Sequence, residues 1–187
     1  MDDLKTLKNC KKNIKIKLLK KSVESNGKNK YIDLFCGIGG FHQVLRNLNM
    51  ECIMASDIDK SCRDVYELNY NMKPIGDIRK INPLDLKDFD ILCGGFPCQA
   101  FSNAGNKKTF EDERGLLFDE IIRIVKIKKP KFLFLENVKH ILKVGEGKVI
   151  DYICNKLDKY NYKVQLINMS PHNYGIPQQR ERIYFIC

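Results

Sequence analysis

Four short stretches of this chain hold residue types that can do chemistry together. The first is Gly94-Gly-Phe-Pro-Cys98-Gln-Ala-Phe-Ser102, in which Cys98 follows a proline just past an apolar run at 89–93. A structural cysteine is normally found inside an element, whereas a loop at the carboxyl end of a strand is where a nucleophile is placed. A free thiol titrates near ~8.5 and needs local activation to attack at neutral pH. The loop runs on through Asn106-Lys-Lys108 to Arg114, cations suited to phosphate oxygens. The second stretch is Phe134-Leu-Glu136-Asn137-Val138. A carboxylate directly after an apolar strand is part-buried, which raises its pKa and lets it donate a proton near neutrality. The same pair, Glu136 and Asn137, could instead cap a helix.

The third stretch is Gln178-Gln-Arg180-Glu-Arg182-Ile-Tyr184. Its alternating charges fit either a surface ion-pair ladder or a guanidinium presenting its planar fork of donors to a carbonyl or phosphate. The fourth is Asp33-Leu-Phe35-Cys-Gly37-Ile-Gly39-Gly-Phe41, followed by Asp57 about 20 residues on, as an acidic ribose ligand follows the glycines of a dinucleotide fold. Glycines between a strand and a helix let backbone approach a ligand closely. The spacing G-x-G-G also fits a plain tight turn.

The elements that must position these stretches alternate. Residues 31–35, 52–55, 89–93, 131–135, 162–168 and 182–186 read as strands. Helical periodicity appears after residue 40, with Phe41, Val44, Leu45 and Leu48 on one face, and again at 60–70, 115–128 and near 146–159. Strands alternating with helices imply an α/β fold, a mostly parallel sheet with helices on both faces. Ligands in such folds sit at the carboxyl ends of the strands, where nearly all the unusual residues fall.

Composition narrows the class. The chain has 187 residues, 43% hydrophobic and 30% charged, which fits one globular domain. No apolar run reaches the ~18 residues of a membrane span, and no secretory signal is evident. No two of the eight cysteines are spaced C-x-x-C, which argues against a zinc site and leaves no metal expected. A reducing, intracellular setting follows. The net charge of +10 is concentrated in residues 1–30, where ten lysines face three acids. That Lys-rich extension is either a phosphate-contacting arm or a solvated leader.

Taken in order, the four stretches closely resemble the motifs of the cytosine-C5 DNA methyltransferase family. DLFCGIGGF is similar to its cofactor motif, GGFPCQAFS to its nucleophile loop, ENV to its acid motif and QQRERIY to its arginine motif. DVYELNY, GDI, FEDERGLLF and YGIPQQRER are family-like as well, so the resemblance covers residue 31 to the last residue.

The resemblance implies a Rossmann-like S-adenosylmethionine-dependent methyltransferase domain over 31–187. It implies that Cys98 attacks C6 of a cytosine flipped out of the duplex, because the target atom is otherwise stacked inside it. Glu136 then holds N3, Arg182 the base O2, and Arg180 supports the site. Phe35, Gly37 and Gly39 belong to the cofactor motif, Asp57 faces the ribose, and Asp77 with Ile78 flanks the adenine. Ile58 stands where many members place an aromatic ring. Gln99, Ser102 and Arg114 are expected to approach double-stranded DNA. His42, His140 and His172 match no motif and are read as structural or exposed. The family continues beyond the arginine motif into a target recognition domain and a last motif. The chain is therefore expected to be a fragment or one subunit of a split enzyme, with recognition carried on a second chain, acting in a prokaryotic cytoplasm or nucleoid or a eukaryotic nucleus. The alternatives are a tRNA cytosine-C5 methyltransferase of the same family and an inactive cofactor-binding module.

Overall fold

The computed structural model describes residues 28–97 and 116–187. Residues 1–27 and 98–115, and with them Cys98, Gln99, Ser102 and Arg114, lie outside the described residues. Six strands form one sheet: β1 (Lys30–Leu34), β2 (Glu51–Ser56), β3 (Ile91–Gly95), β4 (Phe132–Val138), β5 (Gln165–Met169) and β6 (Arg182–Ile186). Their spatial order is β2-β1-β3-β4-β6-β5. Strands β2, β1, β3 and β4 pair in parallel, and β6 runs antiparallel to both β4 and β5. The expected mostly parallel α/β sheet is therefore present.

Four helices accompany it: α1 (Gly40–Asn47), α2 (Lys60–Tyr70), α3 (Leu116–Lys128) and α4 (Lys148–Asp158). The period of two along each strand divides the core. Ile32, Leu34, Leu92, Leu133 and Leu135 point to one face, where they pack on α3 through Ile121, Ile124 and Val125 and on α4 through Val149, Ile153 and Leu157. Tyr31 and Cys93 point to the other face and meet Leu45 and Phe41 of α1. Tyr66 of α2 is buried with Ala55 and Cys36 beside it. None of the four described helices is long and apolar enough to cross a membrane.

Three expectations are corrected. Helix α1 turns His42 and Leu45 inward, while Val44 and Leu48 stay 55% and 66% exposed. The polar side wins because His42 Nδ1 shares a 2.6 Å hydrogen bond with the Tyr66 hydroxyl and its ring stacks on Tyr70. Strand β3 begins two residues later than the apolar run suggests and extends through Gly94 and Gly95. Strand β4 continues past Leu135 to Val138 because its last residues pair with β6, Glu136 opposite Tyr184 and Val138 opposite Arg182. Glu136 and Asn137 thus lie within a strand, and neither caps a helix.

Candidate active site

At the end of β1 the chain turns through three left-handed positions, Phe35 (φ 53°), Gly37 (φ 51°) and Gly39 (φ 96°). At Gly39 the need for glycine is strict, since a Cβ there would overlap the Tyr70 ring. The Tyr70 hydroxyl also donates to the Gly39 carbonyl at 2.9 Å. Cys36 N–H donates to the Ser56 carbonyl at 3.0 Å, which ties the turn to the end of β2. The next residue on β2's side, Asp57, completes the tie: its Oδ2 accepts from Gly37 N–H at 2.8 Å and its Oδ1 from Asp59 N–H at 2.9 Å. The expected acid is thus brought against the expected glycine. Each carboxylate oxygen retains a free lone pair for a diol.

The neighbouring turn places the remaining cofactor candidates differently from one another. Asp77 caps a short 3₁₀ turn and pairs with Arg79 at 2.6 Å, which holds its carboxyl below the ordinary range. Ile78 is packed in the main core, and Ile58 is 72% exposed. The segment leading to this turn is tied to Asp57, whose N–H donates to the Ile75 carbonyl at 3.0 Å.

The second group of candidates gathers at the ends of β3, β4 and β6. Gly95 lies opposite Glu136, and a Cβ at Gly95 would meet Glu136 Oε2 at 3.3 Å, so the glycine makes room for the acid. Arg182 Nε donates to Glu136 Oε1 at 2.7 Å. Burial pushes the Glu136 carboxyl upward, and the charges of Arg182 and then Arg180 pull it part of the way back. The alternation of charges splits between two sides. Arg180 and Arg182 line a cleft with Glu136, whereas Glu181 pairs with Lys139 at 2.7 Å and accepts from Asn168 at 3.3 Å. The ladder reading therefore holds for Glu181 and not for the two arginines.

The cleft, of about 770 Å³, runs from Phe35 and Cys36 of the glycine turn to Glu136, Arg180 and Arg182, over Phe41, Phe134 and Tyr184. The cavity thus joins Phe35 at the glycine turn to the second group; Asp57, Ile58 and Asp77 lie outside its lining. A carboxyl inclined to keep its proton, set beside a guanidinium, offers matched donors to a planar ring that carries a basic nitrogen next to a carbonyl.

Two further residues take part that spacing alone does not single out. Asn137 is buried, and its Nδ2 donates to the Phe96 carbonyl at 2.8 Å, two residues before Cys98. It fastens the end of the segment that leads to Cys98 to the strand that carries Glu136. A polar residue inside a buried strand needs partners, and this one finds its partner in the Phe96 carbonyl rather than in a helix end. Ser170 is also buried; its Oγ accepts from Arg180 N–H at 3.1 Å and lies 2.8 Å from His172 Nδ1. It holds the backbone from which Arg180 projects, and nothing in the sequence marks it.

The chain was compared with known proteins. The family model for C-5 cytosine-specific DNA methylase matches residues 29–187. Type II methyltransferase M.HhaI of Haemophilus parahaemolyticus is 46% identical over 158 residues, covering 84% of this chain and 48% of that protein. Type II methyltransferase M1.ScrFI of Lactococcus lactis subsp. cremoris is 46% identical over 163 residues, covering 85% of this chain and 41% of that protein. Among solved structures, the S. pombe Dnmt2 methyltransferase superposes with a TM-score of 0.67 at 25% identity, over 85% of this chain and 50% of that one. The chain spans about half the length of the curated relatives it matches.

Proposed function

The chain belongs to the C-5 cytosine-specific DNA methylase family, and we propose that it is the part of a DNA (cytosine-5-)-methyltransferase that holds both the methyl donor and the reacting cytosine. The observation that carries this reading is the Glu136–Arg182 pair, with its upward-shifted carboxyl, seated against Gly95 at the foot of the loop that bears Cys98.

The donor is S-adenosylmethionine, and when bound it supplies an electrophilic methyl group. The glycine turn suits it, because Gly37 has open space where a side chain would stand and Asp57 keeps lone pairs for a ribose diol. The chain's own residues do the rest. Cys98 as thiolate forms a bond to C6 of the flipped cytosine. Glu136 gives a proton or a hydrogen bond to N3 as that bond forms, which draws the displaced electron pair toward C5 and makes that carbon nucleophilic. Arg182 holds the base O2 and keeps Glu136 in place, and Arg180 adds positive charge to the same wall. Once C5 carries the methyl group, its proton departs to a base and the electron pair returns to expel the Cys98 thiolate.

Double-stranded DNA is the proposed partner, and the protein segment that reads it is supplied by the remainder of the enzyme, on this or a second chain. The open face of the sheet supports this: Tyr184, Ile186 and Ile167 are only part-buried and belong to none of the core clusters. Without a second wall the chain is expected to bind DNA weakly and in a strongly salt-dependent way, with little turnover.

The test is a covalent trap. With S-adenosylmethionine present, duplex DNA carrying 5-fluorocytosine is methylated at C5 but then has no C5 proton to lose, so the Cys98 adduct persists through denaturing electrophoresis. The adduct is expected when the chain is supplemented with the recognition half of a relative, and it should vanish in Cys98→Ala. Adduct with fluorinated tRNA and none with DNA would move the substrate to RNA, and no adduct with either would leave an inactive cofactor-binding module.

A further inference from the structure

Arg63 sits at the end of the first turn of α2 and performs no part of the chemistry described above. Its Nη1 donates to two consecutive backbone carbonyls, Asp57 O and Ile58 O, each at 2.8 Å. Among the described residues it has no carboxylate within ion-pair distance. A cation near a helix N-terminus works against the helix dipole and is ordinarily left in solvent. Here it is turned back under the preceding turn.

The geometry gives that placement a consequence. The Asp57 N–H is already fixed by the Ile75 carbonyl. With the Asp57 carbonyl held by Arg63, the residue's backbone is pinned on both sides, and the direction of its Cα–Cβ bond is set. The carbonyls of residues 57 and 58 belong to the two peptide planes that flank Ile58, so the same nitrogen also sets the direction of the Ile58 side chain. The guanidinium lies beside the next turn as well, for a Cβ on Gly76 would come within 3.8 Å of it. Arg63 thus stands behind both turns that carry the acidic candidates, Asp57 and Asp77.

We propose that Arg63 is a positioning residue for the adenosine end of the methyl donor, acting through the backbone of Asp57 and Ile58. The proposal rests on the cofactor reading given above. Removing the guanidinium frees two peptide planes, so Asp57 samples orientations away from the ribose and Ile58 loses its fixed seat. The loss falls on the nucleoside portion of the ligand and spares the amino-acid portion.

The experiment is calorimetric titration of the full chain with S-adenosylhomocysteine and, separately, with adenosine, for wild type, Arg63→Met and Arg63→Lys, each paired with a thermal melt without ligand. Arg63→Met keeps the apolar stem and loses the donors. It is expected to weaken both ligands by the same factor, roughly tenfold, the scale of a hydrogen bond from a charged donor. Lysine brings three donors on one nitrogen and is expected to restore affinity to within about threefold. Equal affinity of Arg63→Met and wild type for adenosine overturns the proposal. A loss confined to S-adenosylhomocysteine overturns it too, as does an equal loss in both variants with a matching fall in melting temperature, which marks a merely structural role. Absence of S-adenosylhomocysteine binding by the wild-type chain is a separate failure, that of the cofactor reading itself, and it removes the ground of the proposal.

Discussion

At the carboxyl ends of β1 and β2 the turns are tied to one another, Gly37 to Asp57, Cys36 to Ser56 and Gly39 to Tyr70, with α1 and α2 packed behind them. At the ends of β4 and β6 Glu136 is held by its neighbour in the cleft, Arg182, and the Arg180 backbone by Ser170, while the sheet face beside them exposes part of Tyr184 and Ile186. The first region is closed by contacts internal to this chain. The second presents a finished set of charges along an unfinished wall. The difference separates two tasks: binding a small cofactor needs pinned backbone, whereas engaging a base drawn from a duplex needs a second surface to receive the DNA.

Glu136→Gln should expose that separation most sharply. The amide keeps the shape and the contact with Arg182 but has no acidic proton to give N3. In the enzyme completed with its recognition half, methyl transfer is expected to fall by roughly 10²–10⁴-fold, the scale of a lost general acid. S-adenosylhomocysteine affinity should stay within about twofold, because no cofactor candidate touches Glu136. A parallel loss of affinity would mean that the two regions form one cooperative unit and would remove the distinction drawn above.

What the sequence made legible follows the same division. The strand–helix alternation, the glycine turn and the acid one strand later were readable because they depend on residue type and period, and Gly37 and Asp57 do meet. The Arg180–Glu136–Arg182 grouping was readable by resemblance. The strand that carries Glu136 was read three residues short, because its length is set by pairing with β6, a partner some 45 residues away that local pattern does not register. The inward face of α1 was misread for a related reason. Val44 and Leu48 outrank His42 on any apolar scale, but His42 finds Tyr66 and Tyr70 across the fold. Ser170 and Arg63 escaped notice because each acts on main-chain carbonyl or N–H groups, which every residue carries and no motif distinguishes; Asn137 stood out in the sequence, but its partner, the Phe96 carbonyl, lies 41 residues away.

Gly39→Ala tests the closed region from within. The substitution forces a side chain into a left-handed position and against the Tyr70 ring, so either the turn or Tyr70 must shift. A cost of about 2–3 kcal/mol in folding stability is expected, the range of a strained backbone position combined with overpacking. S-adenosylhomocysteine binding should be lost with it, while DNA binding should survive in the completed enzyme at temperatures where the variant stays folded. Retention of cofactor binding in Gly39→Ala would show that the turn has slack and that its ties are not what builds the site.

The smallest effect concerns a group buried behind that turn. Asp33 lies on the α1 side of β1, is 0% exposed, and neither of its carboxylate oxygens has a hydrogen-bond partner among the described residues. Burial pushes its carboxyl up to about 8 and the Asp57 charge adds to the rise; the nearby His42 amide and Tyr66 hydroxyl, which do not reach hydrogen-bond geometry, offset only part of it. An aspartate in the unfolded chain releases its proton near ~4. Between those two values the folded protein holds one more proton than the unfolded chain, so stability is fully present below about pH 4 and declines as pH rises toward 8. Asp33→Asn keeps the shape and removes the titration. Its melting temperature should match wild type near pH 4 and exceed it near pH 8, because only the wild type loses stability across that range. Parallel pH profiles for the two proteins would mean that the carboxylate is ionised and compensated in place. The closed region would then hold a stabilising charge, and its rigidity would rest on electrostatics in addition to the backbone ties that distinguish it from the open wall around Glu136.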